Sequence, residues 1–410
     1  MNQRQLFHAI EKTASKDYRT DEELLDSVVQ EVINSDQMRI KGGRIWKLVP
    51  RKNAYILVKQ IGEVKSIPQG FAIKVSDYPD FILVGSKKTV LSNERNPELI
   101  KTGIQSYSAT GVGDKTKVKD NLLYQYILAF NMETDGQDLG DSLNVIGSAV
   151  TAVLRERHAV ARTKQLEQDI DRAREIQRSI LPGHAMNYGL FEIFGISIPE
   201  RVVGGDFFDY LPAGEDGERL AIAIGDAASK GLSAAVEALY VSGALKMGVE
   251  LDTNISSLMK KINNLVNSTF SDSRFVTVFV GEFTDEKTGL FLYVNAGHNP
   301  PMFYRKSQNE IFQLKTTGPA LGIAPNARYF IGNVNFEPGD VLLLYTDGVT
   351  EAADSNFTLF GEERLKTRLG ELADSDPKNI CSLLMETVQK FSVSSAYADD
   401  KTLVVIKRVG

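Results

Sequence analysis

Aspartates border several short apolar segments in the second half of the chain, and this pattern constrains the fold more than any other feature. The aspartates and their segments are Asp226 after 220–225, Asp347 after 341–346, Asp399 and Asp400 before 402–406, and Asp206 within the glycine-containing stretch 203–209. Continuous apolar runs of this length are typical of strands buried on both faces. If the ends of these strands converge, the fold brings four or five carboxylates into one region.

A carboxylate cluster of this kind is strongly repulsive unless cations lie within it. The chain has one cysteine, Cys381, and four histidines that are far apart in sequence, so thiolate and helical histidine zinc sites are not expected. Oxygen ligands alone favour Mg²⁺ or Mn²⁺. Two such ions ~3.5–4 Å apart can activate a bridging water for in-line attack on a phosphoryl group. The expected nucleophile is that water and not a serine or cysteine side chain.

Composition excludes only a few functional classes. The 410 residues include 47 Lys and Arg against 53 Asp and Glu, a net charge of −6, which argues against nucleic-acid binding. The first residues show no signal-peptide pattern. The most apolar helical window, 143–154, is shorter than a membrane span. We therefore expect two or three domains, no membrane span and a cytoplasmic location.

The first segment, 1–140, reads as a small α+β domain. Thr20 and Glu23 form a capping box that predicts a helix start, and an apolar stripe at helical spacing follows over 24–33. Patterns typical of strands, separated by turn residues, occur at 44–49, 54–61, 70–75, 81–84 and 122–130. The order resembles that of GAF-type sensor domains. A sensor with a small-molecule or protein ligand and a dimerisation module without a ligand both remain open.

The second segment, 141–182, is expected to be a linker helix that ends at Pro182. Its apolar seam recurs at alternating steps of four and three, at Ala159, Thr163, Leu166, Ile170, Ala173, Gln177 and Ile180. Such a seam, with mixed charges outside it, predicts a parallel coiled-coil homodimer. Thr163 and Gln177 weaken the seam, and a single helix packed on its own domain is the alternative.

The third segment, 185–410, alternates short strands with longer helices. The predicted strands are 191–198, 220–224, 275–283, 290–294, 301–304, 330–336, 341–345 and 403–406. The predicted helices are 232–250, 255–270, 361–372 and 377–391.

The motifs of this segment closely resemble one known family. They are 203–209 (VGGDFFD), 224–231 (IGDAASKG), 275–277 (FVT), 295–301 (NAGHNPP), 345–351 (YTDGVTE) and 398–402 (ADDKT). This series, from about 165 to 410, resembles the bacterial metal-dependent serine/threonine phosphatases of the stage II sporulation type, including the sigma-factor regulatory phosphatases. The resemblance implies a type 2C phosphatase fold, a β-sandwich flanked by helices. The whole chain is then an α+β protein with a GAF-like sensor, a linker helix and a phosphatase domain.

The resemblance also implies roles for individual residues. Asp206, Asp226, Asp347 and Asp399 match the metal-ligand positions of the family and act through the activated water, while the backbone carbonyl of Ala227 completes the shell of one of two Mn²⁺ or Mg²⁺ ions. The residues expected around them are Asp209 and Asp400 behind the ligands, Arg201 on the substrate phosphate, and His298 either in proton transfer or in shaping a turn. The implied substrate is a phosphoserine or phosphothreonine on a partner protein, typically an anti-sigma-factor antagonist.

One position departs from the family loop, which usually reads Gly-Asp-x-x-Gly-x-Gly. Ser229 stands at the middle glycine, and if this position needs a positive φ the serine costs on the order of 1 kcal/mol. This departure favours an alternative in which the chain is a catalytically silent sensor or scaffold that binds the same partner. The string Gly204-Gly205-Asp206 also resembles diguanylate cyclases superficially, but Phe207 stands where those enzymes carry an acidic residue.

Overall fold

The structure is a computed structural model that describes residues 12–13, 16–35, 40–63, 65–132, 137–200, 202–214, 217–251, 254–270, 274–285, 287–392 and 399–410. The chain divides into two compact units, Met1–Leu166 and Glu167–Gly410. Each unit has its own buried core and is described by itself below.

The amino-terminal unit begins with a helix whose start follows from its sequence. In α1, Asp21–Ile33, the hydroxyl of Thr20 accepts a hydrogen bond from the backbone of Glu23 at 3.2 Å. The carboxylate of Glu23 accepts one from the backbone of Arg19 at 2.9 Å, which satisfies a second backbone donor at the helix start. The predicted apolar stripe is the buried face of this helix, namely Leu24, Leu25, Val28, Val29 and Val32.

A six-stranded antiparallel sheet forms the middle of this unit. Its strands are β1 (Ile40–Val49), β2 (Ala54–Gly62), β3 (Ala72–Lys74), β4 (Thr89–Asn93), β5 (Ser106–Val118) and β6 (Asn121–Met132). The spatial order is β3-β2-β1-β6-β5-β4. One face packs on α1 and the first turns of α4, Gln137–Ile180. The other face packs on α2, Asp80–Lys87, and α3, Pro97–Lys101.

The sequence interpretation of this unit was wrong at one element and missed three others, among them helix α3. The predicted strand 81–84 is part of helix α2, which starts directly after Pro79. The pattern also missed β4 and β5, because Ser106–Val118 is rich in serine, threonine and glycine and carries no continuous apolar run. Its inner half is nevertheless buried.

The long helix α4 confirms the predicted helix to within four residues. All residues from 158 to 169 are exposed, and Leu166 of the predicted seam is 60% exposed. An exposed apolar seam is what an unpaired coiled-coil strand presents, so the homodimer stays a prediction. Gln177, in contrast, is buried against its own unit.

The carboxy-terminal unit contains two antiparallel sheets. The five-stranded sheet has the order β15-β12-β11-β10-β9, and the six-stranded sheet has the order β14-β13-β16-β17-β8-β7. The strands are β7 (Ala185–Tyr188), β8 (Phe191–Ile198), β9 (Phe207–Ala213), β10 (Arg219–Ala227), β11 (Val276–Phe283), β12 (Leu290–Ala296), β13 (Met302–Arg305), β14 (Glu310–Gln313), β15 (Gly332–Asn335), β16 (Val341–Tyr345) and β17 (Lys401–Arg408).

The two sheets share an aromatic core and are covered by helices on their outer faces. Phe208 and Phe279 of one sheet and Phe303 of the other lie in this shared core. The outer face of the five-stranded sheet packs on α5 (Leu232–Glu250) and α6 (Ile255–Thr269). The other outer face packs on α8 (Gly361–Leu372) and α9 (Pro377–Ser392). The predicted β-sandwich flanked by helices is therefore present.

Helix α5 also has the length and composition of a membrane span. About 50% of its most apolar stretch is buried, through residues such as Val241 and Leu245 that pack on the sheet. This is weak support for a span, because the core helix of a globular domain passes the same test.

Candidate metal centre

The sandwich brings the five predicted aspartates, from four separate parts of the chain, to one end. Asp206 precedes β9, Asp226 lies within β10, and Asp347 is the first residue of the short helix α7, Asp347–Thr350. Asp399 and Asp400 precede β17. Asp226 is thus not after its strand, as the sequence suggested, but inside it, opposite Thr277 of β11. The first expectation, convergence of these residues, is met.

Asp206 is the most deeply buried of these carboxyl groups, with 5% of the residue exposed. Its Oδ2 accepts hydrogen bonds from the hydroxyls of Thr346 at 2.6 Å and Thr402 at 2.7 Å. Burial raises the pKa of Asp206; the two hydroxyls oppose this shift, and the charges of neighbouring aspartates add to it. The two threonines therefore fix Asp206 where an anion is costly without a cation.

Asp226 is at the electrostatic centre of the cluster. Burial raises its pKa, and the charges of Asp206, Asp347, Asp399 and Asp400 raise it further, in that order. Each of the other four carboxyl groups thus acts on this one residue. A divalent cation at this place would reverse the shift, since it favours the ionised form of every carboxylate around it.

A small cavity opens beside Asp226. Its walls include Asp226, Ala227, Asp399 and Asp400, together with Lys230. The ammonium of Lys230 lies 3.3 Å from Oδ2 of Asp399. Burial raises the pKa of Asp347, and the nearby charges of Glu351 and Asp399 act in the same direction. Among the described residues, the walls of the cavity are therefore mainly acidic, with the cation of Lys230 at the edge.

Asp400 holds the backbone around the cluster. Its two carboxylate oxygens accept hydrogen bonds from the backbone N–H groups of Glu200 at 2.8 Å and Gly205 at 2.6 Å. A Cβ atom at Gly204 would lie 2.4 Å from this carboxylate, and one at Gly348 would lie 2.0 Å from the carbonyl oxygen of Asp400. Glycine is required at Gly348, because the atom that a Cβ would meet there belongs to the backbone of Asp400. The role expected for Asp400 behind the metal ligands stays a prediction.

The described aspartates are not arranged as a ready metal-binding site. Among the described residues, no three His, Cys, Asp or Glu side chains are close enough together to hold an ion as they stand. Several of the carboxylates instead interact with donors of the protein. Asp206 accepts from its two threonines, Asp399 pairs with Lys230, and Asp400 accepts from the loop backbone. The donor chemistry nevertheless fits hard divalent cations, because oxygen ligands converge and repel one another.

Asp209 lies apart from the cluster in the structure. Asp209 lies on β9, where its Oδ2 is 3.0 Å from the ammonium of Lys246 on α5. Burial raises its pKa, and Lys246 opposes that shift. Its contacts link the sheet to α5, so it acts on the cluster at most indirectly. Arg201 lies outside the residues that the structure describes.

Ser229 does not strain the loop after β10. Among the described non-glycine residues, those with a positive φ do not include Ser229, whereas Gly231 two positions later has φ 65°. Its hydroxyl donates to Oε1 of the fully buried Glu237 at 2.8 Å, and Arg274 pairs with the same oxygen at 2.9 Å. The condition under which serine would be costly is therefore not met.

His298 lies in the turn after β12. It is buried, its Nδ1 lies 2.9 Å from the hydroxyl of Thr277, and that hydroxyl donates to the backbone carbonyl of Asp226 at 3.3 Å. Burial lowers the pKa of His298 to about 4. The side chain of Asn295 bonds its backbone at both N–H and C=O. These contacts match the turn-shaping alternative.

Sequence reasoning missed three residues that position the cluster. Thr346 and Thr402 hold Asp206, and both are adjacent or close in sequence to predicted ligands, which was a usable signal. Gln177 donates to the carbonyl of Gly204 at 2.6 Å and accepts from its N–H at 3.2 Å. No sequence signal points to Gln177, because a polar residue in a heptad seam is read as a weak coiled-coil position.

Comparisons with known proteins agree with this geometry. The family of stage II sporulation protein E matches residues 216–409. Phosphoserine phosphatase RsbU of Bacillus subtilis (strain 168) is 28% identical over 248 residues, which cover 60% of this chain and 71% of that protein. Protein IcfG of Synechocystis sp. is 28% identical over 267 residues, 58% of this chain and 41% of that protein.

One solved structure shows the shared fold. The SiaA-PP2C domain of Pseudomonas aeruginosa superposes with a TM-score of 0.52 at 21% identity, covering 60% of this chain and 98% of that domain. The match lies at the level of the fold, which is the β-sandwich described above. The carboxy-terminal unit is therefore homologous to RsbU and to stage II sporulation protein E and has the type 2C phosphatase fold.

Proposed function

We propose that this chain is a metal-dependent protein phosphatase that hydrolyses phosphoserine or phosphothreonine on a partner protein. One observation carries the proposal: four further aspartates act on the buried Asp226 within a domain of a phosphatase family. RsbU, a relative, is named a phosphoserine phosphatase. Strongly perturbed carboxyl groups beside a cavity are typical of functional sites.

The residues that would hold metal are Asp206, Asp226, Asp347 and Asp399, with the carbonyl of Ala227. Two Mg²⁺ or Mn²⁺ ions bound there would supply an activated water and neutralise charge on the phosphoryl group. Thr346 and Thr402 both donate to Oδ2 of Asp206 and so fix the orientation of its carboxylate. Asp400, through its two backbone hydrogen bonds, keeps the 200–206 loop closed against β17.

Phosphate recognition needs cations at the edge of this acidic region. Lys230 is one, since its ammonium reaches Asp399 at the cavity wall. Arg201, five positions before Asp206, is proposed as a second, because a guanidinium can bind two phosphate oxygens at once. Both would draw a phosphorylated side chain towards the aspartates.

The proposed partner is an anti-sigma-factor antagonist, as the motifs shared with sigma-factor regulatory phosphatases suggest. Regulation through the amino-terminal domain, which we take to be GAF-like, would pass along α4 in a homodimeric coiled coil. Gln177 supports this route, because a residue of α4 binds the backbone of Gly204, two positions before Asp206. A shift of the helix would move that loop.

A silent scaffold that only binds the same partner is the alternative. The feature that favoured it was Ser229, and the contacts of Ser229 with Glu237 now weaken that argument. The two proposals differ in turnover, which the scaffold lacks with any metal.

The deciding experiment measures release of phosphate from an aryl phosphate and from a phosphoserine protein, with Mn²⁺ or Mg²⁺ present. We expect metal-dependent turnover in the wild type and losses of at least about 100-fold in Asp226→Asn and Asp347→Asn. Asp374→Asn, which changes an exposed aspartate paired with Lys306, is the matched control. Turnover that persists in both site variants would overturn the proposal.

A further inference from the structure

A second cavity of the carboxy-terminal unit lies between the last turns of α4 and the loop that leads to Asp206. Its volume is about 60 Å³, which is room for about four water molecules and is enough for one small anion. Asp206 and Asp400 belong to its walls, whereas Asp226, Asp347 and Asp399 do not. The cavity therefore adjoins the candidate metal centre without being part of it.

Helix α4 contributes two arginines to the walls of this cavity, Arg174 and Arg178. Arg174 is half-buried, and its buried Nε has no hydrogen-bond partner among the described residues. Arg178 is exposed and lies in the last turn of the helix. Neither guanidinium forms an ion pair within the part of the chain that the structure describes. Because arginine stays charged and only donates hydrogen bonds, the cavity offers two cations and their donors to a ligand.

The other polar groups of the walls already have hydrogen-bond partners within the protein. Asp206 accepts from two threonine hydroxyls, and both carboxylate oxygens of Asp400 accept from backbone N–H groups. The side-chain amide of Gln177 is bonded to the backbone of Gly204 at both its oxygen and its nitrogen. The groups that still lack partners are therefore the donors of the arginines. A ligand that supplies oxygen acceptors and negative charge would complement them.

We propose that this cavity binds inorganic phosphate, held by the guanidinium groups of Arg174 and Arg178. Planar guanidinium groups form paired hydrogen bonds with phosphate oxygens, and two cations match the charge of the dianion. A carboxylate has one charge and two oxygens, so it would use the two arginines less well. Asp206 and Asp400 limit the affinity, because their charge opposes an anion. The site does not rest on the proposed reaction, although phosphate would be the product of that reaction.

Calorimetric titration of the full-length protein with inorganic phosphate tests this site directly. The titration is done in EDTA, so that no metal ion can hold phosphate at the aspartates, and at a constant ionic strength of about 0.15 M, which screens exposed charges beyond about 8 Å. We expect saturable binding to one site. Acetate, as the carboxylate probe at the same ionic strength, should bind at least about tenfold more weakly, a difference of about 1.4 kcal/mol.

Variants distinguish this cavity from the rest of the surface. Arg174→Gln and Arg178→Gln should each weaken phosphate binding at least about tenfold, again about 1.4 kcal/mol. Arg172→Gln is the matched control, because Arg172 is an exposed arginine of the same helix that pairs with Asp169 and does not line the cavity. Lys230→Gln removes the cation at the edge of the metal-centre cavity and should leave phosphate binding in EDTA unchanged.

Three results would overturn the proposal. The first is the absence of saturable phosphate binding by the wild-type protein. The second is equal binding by folded Arg174→Gln and Arg172→Gln proteins, which would show that Arg174 plays no part in recognition. The third is a loss of binding in Lys230→Gln, which would place the phosphate at the metal centre. None of these measurements involves turnover, so this proposal and the proposed function can fail separately.

Discussion

Gln177 and Gly204 exchange two hydrogen bonds, with the side-chain amide donating to the carbonyl at 2.6 Å and accepting from the N–H at 3.2 Å. The pair joins the last turn of α4 to the loop that carries Asp206. Both partners are buried. When the glutamine is removed, the N–H and C=O of Gly204 therefore cannot form hydrogen bonds with water instead.

Gln177→Leu is therefore expected to lower the free energy of unfolding of the carboxy-terminal unit by about 2 kcal/mol and to weaken Mn²⁺ binding several-fold. Thermal unfolding with increasing Mn²⁺ measures both effects. Gln168→Leu, at an exposed position of the same helix, is the control. Equal behaviour of the two variants would show that the Gln177–Gly204 pair does not position Asp206.

Metal should stabilise the protein by relieving repulsion at Asp226. We expect Mn²⁺ or Mg²⁺ to raise the unfolding temperature, and EDTA to remove the gain. Asp226→Asn should raise the unfolding temperature of the metal-free protein, because asparagine avoids the cost of keeping an ionisable carboxyl group buried among four others, and should abolish the metal-dependent rise. A metal response of normal size in this variant would contradict the assignment of Asp226.

Substitution by alanine should have opposite effects at Gly348, which lies close to Asp400, and at Gly243, which has open space around it. Gly348→Ala should destabilise the unit by more than about 2 kcal/mol, because the new Cβ would lie 2.0 Å from a backbone oxygen that cannot easily move. Gly243→Ala, in α5 with nothing within 4 Å, should stabilise by about 0.5–1 kcal/mol. Chemical denaturation of the two variants provides the comparison.

The buried His298 should make stability depend on pH in a defined window. Its pKa is about 4 in the folded protein against 6.5 as an ordinary value, so the unfolded chain binds the proton more readily. The contribution is fully present above pH 6.5 and is lost as pH falls from there to about 4, by at most about 1.4 kcal/mol per pH unit. His298→Asn should flatten the dependence of the unfolding temperature on pH in this window, and an unchanged dependence in a folded variant would contradict the prediction.

Ser229 gives a direct test of the scaffold alternative. Ser229→Ala should lower the free energy of unfolding by about 1 kcal/mol, because Glu237 loses a hydrogen bond, and should not raise metal affinity. Ser307→Ala, which removes an exposed hydroxyl, is the control. If Ser229→Gly increases metal affinity or phosphatase rate, then the serine does weaken the site, contrary to its backbone conformation.

The sequence predicted the carboxy-terminal unit better than the amino-terminal one for a physical reason. Strands buried on both faces, such as Val341–Tyr345, are continuous apolar runs, and both ends of α5 were predicted correctly. Strand β5 has one buried stretch made largely of small residues. The position of this strand in the sheet depends on the helices above it. The short run 81–84 is apolar in either structure, so periodicity alone could not identify it as a helix.

The candidate site also has residues that the sequence predicted and residues that it did not. Its aspartates could be found because a charge beside an apolar strand is unusual in sequence. The residues that orient them are ordinary threonines and a glutamine, whose roles depend on contacts between positions as far apart as Asp206 and Thr402. Contacts between residues this far apart in sequence form only in the folded sandwich, and no local sequence pattern predicts them.

The position of β17 bears on how the domain is made in the cell. This strand is the last of the described strands in chain order, yet it lies between β16 and β8 in the interior of its sheet, directly after Asp399 and Asp400. During synthesis, the six-stranded sheet cannot be completed until residues up to Arg408 have left the ribosome. Hydrolytic competence should therefore arise only after translation of the domain is finished, and a nascent chain that still lacks this strand should expose β8 and β16 to chaperones.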